Sequence, residues 1–267
     1  MIFQGQLLKM SSVWAAPIQY YLNLSGDLLS INQLFGKKLS IKHTGFQCIC
    51  CMEDKPIFRM GFCKECFFES PYASETILKP ELSKAHLGIE ERDLEIEKQI
   101  QLQPHIVYLA YTGDIKVGVT RENQIPTRWI DQGATFALPI ARTKNRYEAG
   151  IIEAELKKHI PDKTNWRKML QDEREDNLDL LDFRNKIEHL FPKESKIFAI
   201  HEEDIWRLDF PYTAPEKISA FTLDKVPNFE GILKGVKGQY LHFEGDLFMN
   251  IRNHEGYVIE LKIEKSI

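Results

Sequence analysis

The sequence predicts an α+β fold, in which β-rich segments at both ends of the chain flank a mixed α/β module. Two observations carry this prediction. Alternating apolar and polar residues recur within 12–47 and again from 195 onward, with turn sequences between them, as in half-buried strands. Between these segments, strand patterns alternate with apolar residues at helical spacing.

The 267 residues are enough for one large domain or for two to three small ones. A content of 43% hydrophobic and 28% charged residues is typical of a folded globular protein. We divide the chain into five segments: β-strands with a cysteine-rich stretch at 1–78, a charged connector at 79–104, the mixed module at 105–170, an acidic helix at 171–192 and a β-rich, barrel-like region at 193–267.

Charge and hydropathy exclude several classes of protein. No stretch approaches the roughly 18 uninterrupted apolar residues of a membrane helix, and the N-terminal residues do not have the pattern of a signal peptide. We therefore expect a cytoplasmic protein with no membrane partner. The net charge of -4 argues against a surface coated in basic residues for non-specific DNA binding.

All five cysteines lie between positions 48 and 66, and four of them form the knuckles Cys48-x-x-Cys51 and Cys63-x-x-Cys66. In a knuckle a short turn brings two thiolates to one side, which supplies half of a tetrahedral zinc shell. Eleven residues separate the knuckles, enough for a hairpin. The sequence therefore predicts an N-terminal zinc ribbon with a closed, structural site.

The alternatives are two disulfides or a set of buried free thiols. Disulfides fit poorly with a cytoplasmic chain and an odd number of cysteines. Cys50 adjoins Cys51, and neighbouring residues cannot both face the metal easily, so we interpret Cys50 as a bystander. The ribbon has balanced charges, which favours a structural role over contact with nucleic acid.

In the mixed module, residues 106–120 have the pattern of a β-hairpin with a turn at "TGD". Pro126 and Gly133 frame a short helix that carries Arg128 and Trp129.

A second helix follows in the module, with Asn145 as its cap and Glu148 as its third residue. Glu153 lies at the edge of its apolar stripe, where it can point into a cleft. The stripe comprises Ala149, Ile152, Leu156 and Ile160.

Five residues of this module, in order and spacing, resemble the skeleton of the GIY-YIG endonuclease superfamily: Tyr108, Lys116 in "KVGVT", Arg128, Glu153 and Asn165. The resemblance spans about 60 residues. It implies an α/β module in which these side chains surround a scissile phosphate and Glu153 binds the metal.

The sequence departs from the superfamily pattern at two places. His105, Ile106 and Val107 precede Tyr108 in place of "GI", and Lys116 replaces the second tyrosine, as in a divergent branch with "KIG". The string "VGVTR…PTRWIDQGA…DKTNW" after a Cys-x-x-Cys ribbon also resembles an uncharacterised bacterial family. That second resemblance covers nearly the whole chain and implies no activity.

Hydrolysis of a phosphodiester needs a general base, neutralisation of charge on the phosphoryl oxygens and usually a divalent metal. Tyr108 or Lys116 is the candidate base, Arg128 offers a planar fork for phosphate oxygens, and Glu153 can hold one Mg²⁺. Residues 105–170 contain eleven Lys or Arg and seven Asp or Glu, a local excess that favours a phosphate-bearing partner.

Each of these side chains also has an ordinary structural interpretation. Tyr108 can be a half-buried strand aromatic and Lys116 a solvated strand residue. Arg128 can stack on its neighbour Trp129 at the surface, and Glu153 can pair with Lys157 four residues on.

The C-terminal strands interleave basic and aromatic residues, which suits stacking on bases in a small barrel. The alternative is a barrel wall with solvated basic side chains. The residues are Lys234, Lys237, Tyr240, His242, Arg252 and His254.

Three functions follow from these patterns. The first is a zinc-containing nucleic-acid-binding protein with a GIY-YIG-like phosphate cleft, for which the sequence leaves DNA and RNA both open. The second is a Mg²⁺-dependent endonuclease, and the third is a zinc-stabilised protein-interaction scaffold. Lys116 in place of tyrosine, with Glu153 as a single metal carboxylate, favours binding over cleavage.

Overall fold

The computed structural model describes residues 1–171 and 179–264, so the first part of the predicted acidic helix, 172–178, lies outside the described residues. The chain forms two compact units. We call them the discontinuous unit, Met1–Phe68 with Asp209–Ile267, and the continuous unit, Glu69–Leu208.

The described residues combine many strands with short helices, which confirms the predicted mixture of α and β structure. The strands are β1 (Ile2–Val13), β2 (Gln19–Leu24), β3 (Asp27–Ser30), β4 (Lys38–Phe46), β5 (His105–Tyr111), β6 (Ile115–Arg121), β7 (Phe136–Thr143), β8 (Trp206–Arg207), β9 (Ser219–Phe221), β10 (Asn228–Lys237), β11 (Tyr240–Phe243), β12 (Leu247–Asn250) and β13 (Tyr257–Ile263). The α-helices are α1 (Lys64–Glu69), α2 (Leu94–Gln101), α3 (Thr127–Asp131), α4 (Arg146–Leu156), α5 (Trp166–Gln171) and α6 (Leu180–Ile187).

The discontinuous unit contains a nine-stranded sheet in the order β3-β2-β1-β13-β4-β10-β11-β12-β9. Strand β13 lies between β1 and β4 and pairs antiparallel with both. The strands predicted separately at the two ends of the chain therefore form one sheet. Its buried side chains come from both ends and include Leu7, Met10, Ile41, Leu233, Ile259 and Leu261.

The prediction of a barrel-like C-terminal region is corrected by this topology. The edge strands β3 and β9 do not pair with each other within residues 1–171 and 179–264. The C-terminal strands extend the large sheet instead of forming a barrel of their own. Alternation of apolar and polar residues identifies a strand and its buried face, but it does not specify a partner at the other end of the chain.

The continuous unit contains a smaller antiparallel sheet in the order β6-β5-β7-β8. The hairpin predicted from the sequence is β5–β6, with Tyr108 opposite Gly118. Helix α4 packs on this sheet through Ala149, Ile152 and Leu156, which are fully buried. The predicted N-terminal cap of α4 is confirmed, because the Asn145 side chain accepts a hydrogen bond from the backbone N–H of Glu148 at 3.0 Å.

Among the helices of the described residues, none combines the length and the hydrophobicity needed to cross a bilayer.

Candidate functional site

The four knuckle cysteines lie together in the discontinuous unit. The Sγ atoms of Cys48, Cys51, Cys63 and Cys66 are all within 4.8 Å of one another. Zn–S bonds of about 2.3 Å in a tetrahedron place sulfur atoms about 3.8 Å apart, so a small contraction completes such a shell. The four thiols could hold a metal ion such as zinc. Cys50 is exposed and does not belong to the group of four.

Backbone geometry brings the two knuckles together. Met52 and Met60 adopt left-handed φ angles of 60° and 54°, and Gly61 follows with a φ of 80°. The backbone N–H of Ile49 donates to the carbonyl oxygen of Gly61 at 3.0 Å. A Cβ atom on Gly61 would lie 2.9 Å from Ile49 Cδ1. Glycine at position 61 therefore permits both the turn and the close approach of the knuckles.

The thiols of the cluster have opposing pKa shifts. Burial acts to raise the pKa of Cys48, but backbone N–H groups, above all that of Cys63 at 3.2 Å from its Sγ atom, lower it to about 6. Burial and the neighbouring thiols raise the pKa of Cys66. Four thiolates so close together repel one another, and a bound cation removes that repulsion.

In the continuous unit, Tyr108 is fully buried on β5. Its Oη atom donates to Gln132 Oε1 at 3.1 Å, and its ring packs edge-to-face on Trp129. Burial raises the pKa of Tyr108, and the charge of Arg128 opposes the shift. A Cβ atom on Gly118 would lie 2.6 Å from Tyr108 Oη, so the glycine of "KVGVT" leaves space for the phenol.

Lys116 is a buried lysine on β6, with an exposed fraction of 4%. Its Nζ atom donates to Thr164 Oγ1 at 2.7 Å. Burial, with the charge of Arg128, lowers the pKa of Lys116 to about 7, although Asp162 and Glu153 oppose the shift. At neutral pH a large fraction of this amine is therefore uncharged.

Glu153 lies on α4 and is 6% exposed. The Lys157 Nζ atom is 3.1 Å from its Oε2 atom. Burial raises the pKa of Glu153, while Lys157 and Arg146 oppose the shift. The charges of Arg128 and Glu153 act on both Tyr108 and Lys116, so these four side chains lie within electrostatic range of one another.

Comparison with known families finds one family model that matches most of the chain. Residues 36–259 match the family model described as "Protein of unknown function (DUF2797)". The chain belongs to this family. Neither the search of curated proteins nor the search of solved structures found a match. The comparisons thus assign no activity and give no match to the GIY-YIG superfamily.

Asn165 has a structural role in this DUF2797 protein. Its exposed side chain caps α5, where Oδ1 accepts hydrogen bonds from the backbone N–H groups of Arg167 at 3.1 Å and Lys168 at 3.4 Å. The neighbouring Thr164, rather than Asn165, contacts Lys116.

The side chain of Arg146 also makes hydrogen bonds within the protein. It is 9% exposed, and its guanidinium donates to the carbonyl oxygens of Thr76 at 2.9 Å and Ile77 at 2.8 Å. Arg128 is half-buried and is therefore the better placed of the two to meet a ligand.

Sequence analysis missed Glu81, whose backbone lies against helix α4 of this DUF2797 protein. Its charge acts on both Glu153 and Arg146. The sequence contained one indirect signal, because Gly150 lies inside a predicted helix, where glycine costs about 1 kcal/mol relative to alanine. The structure shows the reason, which is the close approach of Pro80–Leu82.

Three of the six basic and aromatic residues predicted to stack on bases are buried, whereas Lys234 and Arg252 are exposed and Tyr240 is half-buried. Lys237, His242 and His254 are each exposed by 4% or less. His242 stacks on Phe248, and His254 Nε2 accepts a hydrogen bond from the backbone N–H of Leu223 at 3.0 Å. These three side chains are therefore buried in the interior, and stacking on bases stays a prediction for the other three.

Proposed function

We propose that this protein is a zinc-containing nucleic-acid-binding protein that holds a phosphate group in the cleft of Tyr108, Lys116, Arg128 and Glu153. One observation carries the proposal. Arg128 and the buried Lys116 are like charges close enough for Arg128 to lower the pKa of Lys116. An anion between them relieves this repulsion, and a phosphate diester is an anion that accepts hydrogen bonds from both groups.

Zinc is the metal that best suits the cysteine cluster. Soft thiolate ligands select zinc over hard cations such as Mg²⁺, which prefer oxygen. Four protein ligands leave no open position for a substrate, so the site stabilises the fold and does not take part in catalysis.

Elemental analysis of purified protein tests the zinc assignment. We expect about one zinc per chain, which Cys51→Ser removes because it deletes a ligand. Cys50→Ser is the matched control and retains the metal. Wild-type protein free of zinc and insensitive to chelator contradicts the assignment.

Binding of labelled oligonucleotides, measured by anisotropy across a salt series, tests the cleft. Arg128→Gln should weaken binding and reduce the slope of log K against log salt by about 0.7–0.9, the value of one phosphate contact. Arg167→Gln is the matched control, because Arg167 is exposed and its guanidinium lies over Trp166 at 4.3 Å. Absence of binding at low salt, to single- and double-stranded DNA and RNA alike, supports the scaffold function instead.

A Mg²⁺-dependent endonuclease is the second candidate, favoured by the pKa of Lys116 near 7. A group with this pKa can accept a proton from water at neutral pH. Tyr108 is the weaker base, since burial raises its pKa and its hydroxyl already donates to Gln132. Glu153→Gln should abolish cleavage and preserve binding, because an amide is a weak ligand for a hard cation. Cleavage that survives this change places the activity elsewhere.

A further inference from the structure

The continuous unit contains a cavity of about 380 Å³ beside its small sheet. This volume lies within the range of about 300–1,000 Å³ that is typical of small-molecule pockets. Most of the residues that line it are apolar, and one of them is a tryptophan. The apolar lining comprises Ile106, Ile125, Pro139, Ile200 and Trp206.

One wall of the cavity is the segment 200–206, which is attached to strand β7 at both ends. The backbone N–H of Ile200 donates to the carbonyl oxygen of Ile140 at 2.9 Å. At the other end, Trp206 on β8 lies opposite Ala137 on β7. The residues between these two attachments arch over the strand, so the cavity is a built part of the fold.

The cavity lies beside Tyr108 of the proposed cleft. Ile106 and Tyr108 are two residues apart on β5, so their side chains point to the same face of the sheet. Tyr108 lies opposite Pro139, which lines the cavity. The ring centroids of Trp206 and Trp129 are 5.4 Å apart, and Trp129 in turn packs on Tyr108. A group attached to a phosphate in the cleft can therefore reach the cavity.

Carboxylates supply most of the polar groups in the lining. Glu122 is already paired, because Arg142 donates to its two carboxylate oxygens at 2.7 and 3.0 Å. Glu202 and Asp204 also line the cavity, and their exposed carboxylates have no hydrogen bond or ion pair within residues 1–171 and 179–264. An ionised carboxylate only accepts hydrogen bonds. The cavity therefore suits an apolar ring that carries N–H donors on its edge.

The charge of the lining argues against a phosphate group inside the cavity. Three carboxylates and one guanidinium give it a net charge of -2. The cleft contributes the cationic groups instead, through Arg128 and the lysine Lys116. This separation of charge matches a nucleotide, in which a neutral base adjoins an anionic phosphate.

We propose that this cavity binds a guanine base of a single-stranded nucleic acid whose phosphate lies in the cleft. The inference rests on the proposed function and names the base that the site selects. Guanine alone among the common bases has two adjacent N–H donors on its Watson–Crick edge, and the carboxylates of Glu202 and Asp204 accept them. Trp206 offers a face for stacking, as aromatic side chains do where proteins read unstacked bases.

Titration of full-length, zinc-loaded protein with free nucleosides, followed by ligand-observed NMR, tests the cavity by itself because a nucleoside has no phosphate. We expect guanosine to bind about tenfold more tightly than adenosine, cytidine or uridine, the scale of one bidentate contact with a base. Glu202→Gln combined with Asp204→Asn should remove this preference, because an amide has one acceptor oxygen where a carboxylate has two.

Glu203→Gln is the matched control. Glu203 lies between the two carboxylates in the sequence and is exposed, but it does not line the cavity. The guanosine preference should stay unchanged in this variant. Trp206→Ala should weaken guanosine binding about fivefold or more through the loss of stacking. Thermal unfolding of each variant shows whether a weakened affinity arises from a lost fold.

Two results overturn the proposal: guanosine that binds no more tightly than adenosine, or a guanosine preference that survives in the double variant. Anisotropy with an oligouridine, and with the same strand carrying one central guanine, separates this outcome from a failure of the cleft. Both strands should bind, and the guanine-containing strand should bind more tightly. Equal binding of the two strands removes the base site alone. Guanosine binding without binding of either strand removes the proposed function alone.

Discussion

Burial shifts the pKa values of Tyr108 and Lys116, the two candidate proton acceptors of the proposed cleft, in opposite directions. Tyr108 is fully buried, with a raised pKa, so it remains a neutral hydrogen-bond donor. Lys116 has a pKa lowered to about 7, so its charge changes within the physiological range. The same desolvation favours the neutral form of both groups and gives them different roles.

We predict that nucleic-acid affinity falls as pH rises through about 7, because Lys116 loses its charge there. Affinity measured between pH 6 and pH 8.5 should show the loss, at the constant salt that such a comparison requires. Lys116→Met should bind weakly with little pH dependence. A pH profile unchanged in this variant assigns the titration to another group.

The stability of the folded protein should rise with pH, whereas nucleic-acid affinity falls. The pKa of Lys116 is about 7 in the folded protein and has an ordinary value of 10.5. Between these values the unfolded chain binds more protons, so the Lys116 contribution to stability rises with pH and is lost as pH falls towards 7. Lys116→Met removes this contribution to the pH dependence.

At the scale of elements, the sequence predicts what short-range patterns encode. The knuckle spacing identifies Cys48, Cys51, Cys63 and Cys66, and these thiols do lie together. Helix α4 follows from its cap and its apolar stripe. Glu81 could not be predicted as a neighbour of Glu153, because its contact with α4 depends on tertiary packing and leaves only Gly150 as a sign in the sequence.

We predict that Gly150→Ala destabilises the protein although it lies inside a helix. In an exposed helix interior, alanine is more favourable than glycine by about 1 kcal/mol. The new Cβ atom would lie 2.3 Å from the backbone nitrogen of Glu81, which cannot move aside like a side chain. Overpacking costs about 1–3 kcal/mol, so the clash outweighs the helix propensity.

Chemical denaturation measures this difference in the free energy of unfolding. Gly45→Ala on β4 is a control, because its Cβ atom meets nothing within 4 Å. A Gly150→Ala protein more stable than wild type means that the turn Pro80–Leu82 does not lie on α4.

At the scale of the whole molecule, the large sheet depends on pairing between the two ends of the chain. Ile2 lies opposite Lys262, and β13 also pairs with β4, which leads towards the cysteine cluster. The alternating pattern predicted the strands at each end, because alternation reports a buried face. It did not predict that they share a sheet, since either end could have paired within itself.

We predict that weakening β13 releases the metal, because β4 and the knuckles belong to the same unit. Leu261 on β13 is 1% exposed, and Leu261→Ala should cost about 2–5 kcal/mol. Zinc release in urea, followed with a chromogenic chelator, should then occur at a lower urea concentration.

Leu138→Ala is the matched control in the continuous unit, where Leu138 is fully buried on β7. This variant should lower the urea concentration at which the fluorescence of the buried Trp129 changes. The urea concentration of zinc release should stay unchanged. Equal shifts of zinc release in both variants mean that the two units unfold as one, which contradicts this prediction.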